Sequence, residues 1–281
     1  MRPLFHALMH RRTLLALASG WAALLAAGCA HAPALPFGPA ETARLAALLP
    51  ADALLLGEQH DAAEHHLLER RVVDWLAGRG ELAALAIEMA EQGRGTAGLP
   101  CSAGEAEARA ALAWSDQGWP WANYGPMVMA AVRAGVPVLG ANLPRAQLRQ
   151  AMADATLDAR LPLDQFQEQA RRIREGHCGL LPEAQLVPMT RVQIARDRAM
   201  ADTVAGARQP GRTVLLVAGD NHVHRALGVP AHLPPQVRLK VIVALAADAA
   251  DEGSRAEAGA DLIWLTPPLP PRDYCAELKG R

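Results

Sequence analysis

The chain has 281 residues, 51% hydrophobic, 20% charged and 4% aromatic, which supplies enough apolar material for a packed core and excludes a disordered chain. Its 28 Lys and Arg against 29 Asp and Glu give a formal charge of −1. It lacks the basic excess that phosphate backbones demand, so nucleic acid is not expected as a partner.

The N-terminus reads as an address. Arg2, Arg11 and Arg12 precede an uncharged run over residues 14–28, short for a bilayer span of about 20 residues but suited to a signal peptide. The run ends Leu25-Ala26-Ala27-Gly28-Cys29. This resembles the bacterial lipobox, in which Cys29 is lipidated; an ordinary secretory signal with a stray Cys is the alternative. Ala30, not Asp, follows the Cys, which favours a lipid anchor in the outer membrane facing the periplasm. Removal of residues 1–28 leaves 253 residues with 25 basic and 29 acidic groups, a net charge of −4.

Residues 29–40, with Pro33, Pro36 and Pro39, read as an extended tether. No long Ser/Gly/Pro linker divides the rest of the chain, so residues 41–266 are taken as one α/β domain and residues 267–281 as a Pro-rich tail. Of Cys101, Cys178 and Cys275, two can pair and one is left over. Cys178 with Cys275, pinning the tail to the body, is the expected pair, and three buried or unpaired thiols are the alternative.

The first predicted strand, residues 51–57, is an apolar run closed by Gly; residues 64–77 place Leu68, Val72, Trp75 and Leu76 at helical spacing. Residues 82–89 read as a second strand, 124–135 as a helix and 136–141 as a third strand. A long helix is expected over about 182–207. Residues 213–219, 240–246 and 261–265 complete the strands. The alternation predicts an α/β fold, with a largely parallel central sheet flanked by helices on both faces. The less regular stretches 93–121 and 156–181 read as lids or helical insertions.

Polar residues cluster where these strands stop. Glu58 and His60 come after the first, Glu88 closes the second, Asn142 comes after the third, and Asp220, Asn221 and His222 after the fourth. Ligands of open α/β sheets bind outside the carboxyl ends of the strands, so Glu58, His60, Glu88 and His222 are expected to share one rim. The plainer readings are Glu58 or Asp61 as a helix N-cap, His65 as a hydrogen-bonded core histidine and His66 as a solvated one.

Gly57-Glu58-Gln59-His60 with His65-His66, Ile87-Glu88-Met89, and Gly219-Asp220-Asn221-His222-Val223 with Gly228-Val229-Pro230 resemble the ChaN family. So do Trp119-Pro120-Trp121 through Tyr124-Gly125-Pro126, Asn142-Leu143-Pro144-Arg145, His177-Cys178, and Gln193-Ile194-Ala195-Arg196-Asp197 through Met200-Ala201. The likeness covers residues 49–246. It implies a haem-binding lipoprotein linked to iron uptake. It also implies kinship with erythromycin esterases and Tiki/TraB proteins, some of them metal-dependent hydrolases.

The resemblance implies two alternative functions. In the first the chain binds haem, with membrane attachment through Cys29, an outer-membrane haem receptor and a homodimer as expected partners. A Tyr phenolate suits Fe(III), and Tyr124, near Trp119 and Trp121, is the expected iron ligand. His65, His66 or His222 then ligates iron or bonds a propionate, and Arg145 or Arg191 pairs with propionates. In the second, Glu58, His60, Glu88 and His222 form a hydrolytic centre around a divalent metal.

Overall fold

The computed structural model describes residues 35–246 and 259–280. The expected signal peptide, Cys29 and the first part of the tether lie outside the described residues. The tether's end is folded: Phe37 packs edge-on against Trp264 at 5.3 Å, and α1 (Pro39–Ala46) begins within it.

Among the described residues six strands form one sheet: β1 (Ala53–Glu58), β2 (Leu82–Glu91), β3 (Val138–Asn142), β4 (Thr213–Gly219), β5 (Leu239–Ala246) and β6 (Leu262–Thr266). Their order is β3-β2-β4-β1-β5-β6, and every pair runs parallel. Parallel strands need crossovers, and α2 (Ala63–Gly78), α4 (Trp121–Arg133) and α7 (Glu183–Gly206) supply them. Side chains alternate across the sheet. Leu54, Leu56, Leu215 and Val217 join the α2 and α4 layer, whereas Ala53, Leu55, Val214 and Leu216 join the α7 layer. These strands therefore read as continuous apolar runs, and each fully buried Leu contributes about 1.5–3 kcal/mol.

Residues 93–121 carry α3 (Glu105–Ala111) and a turn rich in Trp, and residues 156–181 carry α6 (Leu163–Gly176). With α5 (Leu148–Ala153), part of the latter insertion packs on α7 through Leu157, Leu161, Val192 and Ile194.

The C-terminal segment docks on the body. The Cys178–Cys275 disulfide expected from the sequence is present, and among the described residues no cysteine is free, so the leftover thiol is not observed. Tyr274, at the start of α8 (Tyr274–Lys279), donates its hydroxyl hydrogen to Asp61 and accepts from Gln59 Nε2. Asp61 is thus not the α2 cap; Ala62 holds that position without a side-chain bond, because the Asp61 carboxylate is turned to Tyr274 and Arg272.

Among the described residues no helix is long and apolar enough to cross a membrane.

Candidate functional site

β4 lies between β2 and β1, and β3 lies outside β2, so the four strands with polar ends are neighbours. Glu58 is level with Gly219, and Ile87 with Val217, which brings Glu88 to the same edge. The chain leaves β4 into a 3-10 turn, Asp220–Val223, that turns His222 inward. Close approach here depends on Gly219: a Cβ on it would stand 2.8 Å from His60 Nε2.

His222 lies between two carboxylates. Its Nδ1 is 2.5 Å from Asp197 Oδ1 and its Nε2 is 3.4 Å from Glu88 Oε1. Burial disfavours a charged imidazole, but Glu88 and Asp197 outweigh it and raise His222 to about 10. The Glu88 carboxyl, which burial would push up, is drawn down to about 2 by His222 and His60 and accepts the Gly219 N–H at 2.8 Å. Asp197 is raised to about 6 by burial against the pull of His222. His222 is therefore an imidazolium at neutral pH.

His60 stands at the front. Its Nδ1 donates to Glu58 Oε1 at 2.8 Å, its Nε2 is 3.8 Å from Glu88 Oε2, and 40% of its side chain is exposed. Burial would lower its pKa, yet Glu58 and Glu88 raise it. Its ring meets Trp119 edge to face at 4.8 Å.

A cleft of about 540 Å³ opens on His60 and Glu88. Met89, Leu112, Trp119, Leu143 and Leu148 give it apolar walls, and Arg145 and Arg196 give it positive charge. Its volume lies within the roughly 300–1,000 Å³ of cofactor-sized sites. Sequence reasoning gave Arg196 no role. Its Nε is buried without a hydrogen-bond partner, and it lies on α7 next to Asp197.

The other expected site residues fall elsewhere. Tyr124 is buried behind Glu58 and donates its hydroxyl hydrogen to Glu58 Oε1 at 3.0 Å; burial and the Glu58 charge push the phenol far up, away from phenolate. Trp121 is buried with its Nε1 donating to Glu105, and only Trp119 of the pair lines the cleft. His65 is a core histidine. Its Nδ1 accepts the Gln59 N–H at 2.9 Å, which leaves Nε2 to donate to Thr266 Oγ1 at 3.1 Å. His66 is not solvated but buried, facing Glu58 and Glu69. Arg191 makes two 2.7 Å bonds to Asp158 and does not line the cleft.

Asp197 and Glu69 carried no sequence-based role, although a signal existed. Glu69 shares the α2 stripe of Leu68, Val72, Val73 and Leu76, and Asp197 that of Ile194, Met200, Ala201 and Val204. An ionisable residue on an apolar stripe must find a partner.

This fold has a solved counterpart. The structure of ChaN of Campylobacter jejuni with cofacial haem binding superposes with a TM-score of 0.60, at 23% identity, over 74% of this chain and 86% of that one. Among curated proteins no sequence matches. The model of the family described as haem-binding uptake, Tiki superfamily, ChaN matches residues 44–233, and the chain belongs to that family.

Proposed function

We propose that the protein binds haem in the cleft in front of His60, as a lipoprotein anchored through Cys29 in the outer membrane and contributing to haem and iron acquisition. The observation that carries the reading is the donor set of that cleft in a chain of this family. Its apolar walls suit a porphyrin face, and Arg145 and Arg196 line it with the positive charge that propionates would pair with. His60 is its exposed imidazole, with the far ring nitrogen fixed by Glu58, the usual way a ligand histidine is oriented. Haem is cargo here, and the His60 imidazole would serve as a ligand to its iron. Tyr124, a hydrogen-bond donor to Glu58, positions His60 through that shared carboxylate.

Hemin titrated into the purified chain should give a saturable Soret shift at micromolar protein. A featureless titration would reject the reading. The same account expects an acylated Cys29 by mass spectrometry, a homodimer, and an outer-membrane haem receptor as the source of the cargo. An unmodified Cys29 in the membrane fraction would remove the anchor.

A second reading, a metal-dependent hydrolase using Glu58, His60, Glu88 and His222 with a divalent metal, draws support from the approach of His60 and His222 to the one Glu88 carboxylate. Ester or peptide cleavage lost in Glu88→Ala would support it; an inert protein would dispose of it.

A further inference from the structure

Behind the cleft, Glu58, His66 and Glu69 form a closed cluster. They are 1%, 7% and 0% exposed, and one donor atom from each lies within 4.8 Å of the others. Glu58 ends β1, while His66 and Glu69 lie three residues apart on the first turns of α2, a spacing that puts both on one helix face.

The atoms in this cluster are unevenly satisfied. Glu58 Oε1 accepts from both His60 and Tyr124. Glu58 Oε2, both ring nitrogens of His66 and both oxygens of Glu69 have no hydrogen-bond partner. Buried polar atoms are nearly always bonded, so five orphans at one point demand an explanation. Direct ion pairing does not provide it. His66 Nδ1 is 3.3 Å from Glu58 Oε2 and 3.6 Å from Glu69 Oε2, whereas charge-assisted bonds to a carboxylate close to roughly 2.7–2.9 Å.

Those spacings match something else. A tetrahedral ion with bonds of about 2.1 Å holds its ligands about 3.4 Å apart. One imidazole with two carboxylates is a donor set for Zn²⁺, Mn²⁺ or Fe²⁺.

We propose that Glu58 Oε2, His66 Nδ1 and Glu69 bind one divalent transition-metal ion, in a site behind the His60–Glu88–His222 rim that fills without haem. The hydrogen bonds from His60 and Tyr124 to Glu58 Oε1 then act as its outer supports, fixing which oxygen faces the ion. Glu58 thereby links the buried ion to the imidazole that opens on the cleft.

The test is a titration of the haem-free, chelator-treated full chain with Co²⁺, read by visible absorption and by metal content, with subsequent competition by Zn²⁺. The expected result is about one equivalent bound. Glu69→Gln and His66→Gln should each weaken binding at least tenfold, while Glu88→Gln and His222→Gln should leave it within threefold. No uptake, unchanged uptake in Glu69→Gln, or loss in Glu88→Gln would overturn the proposal. X-ray absorption on the wild-type cobalt form covers the case in which a variant does not fold. One imidazole in the ligand shell supports the site, and two place the ion at the rim and refute it.

Discussion

At the front of the site His222 sits between Glu88 and Asp197 with a ring nitrogen turned to each, whereas behind it His66 faces Glu58 and Glu69 with neither ring nitrogen in a hydrogen bond. Both clusters combine one imidazole with two buried carboxylates. The front one is mostly completed from within: the His222 Nδ1–H is held by Asp197 Oδ1 and the Gly219 N–H adds a bond to Glu88, leaving Asp197 Oδ2 without a partner. It can serve as a rigid wall. The back one uses the same residue types and stays incomplete, so its geometry has to be explained by something it holds.

The comparison can be broken by mutation. His222→Ala would leave two buried carboxylates facing each other, and breaking such a pair costs about 3–5 kcal/mol, to be read from urea midpoints. In metal-free protein Glu69→Gln should do the opposite. It replaces a carboxyl that burial and the Glu58 charge keep protonated, and should be neutral or stabilising, within about 1 kcal/mol. A loss as large as that of His222→Ala would erase the distinction between the clusters.

A pH series sharpens it. His222 is raised to about 10 in the folded protein against an unfolded value of about 6.5. Its contribution is complete below the unfolded value and is lost as pH rises from about 6.5 through about 10. Unfolding midpoints should fall across that window, and His222→Gln should flatten the fall.

Smaller effects map the cleft. Gly219→Ala forces its new methyl onto His60 Nε2, and overpacking of this kind costs about 1–3 kcal/mol. Arg145→Ala should weaken hemin binding severalfold through loss of a propionate partner. Arg191→Ala should leave it within twofold, because its guanidinium is already spent on Asp158. Fluorescence titrations of the two variants side by side would decide; equal losses would mean that the basic edge of the cleft is wrongly drawn.

The sheet was legible because its buried strands are apolar runs, with β1, β2 and β4 closed by Gly or a charged residue. Residues 213–219 coincide with β4, and the helix expected over 182–207 is Glu183–Gly206 within one residue. The rim was legible for the same reason: in a parallel sheet strand ends share one edge, so Glu58, Glu88 and His222 had to meet. Orientation was not. Nothing in Tyr124 or His66 tells that each turns toward Glu58 rather than toward the cleft, since that depends on how α2 and α4 are rotated against the sheet. Arg191 and Arg196, on one helix and five residues apart, differ only in the face they present. The docking of Tyr274 on Asp61 and Gln59 joins segments more than 200 residues apart, and no local pattern announces it.

The central claim is that haem is held in front of His60. The most direct measurement is the Soret spectrum of the hemin complex of the wild-type chain beside His60→Ala and Tyr124→Phe at equal concentrations. The account predicts that His60→Ala loses or fundamentally alters the band while Tyr124→Phe retains it with a modest shift. Retention of the wild-type spectrum in His60→Ala together with its loss in Tyr124→Phe would contradict it.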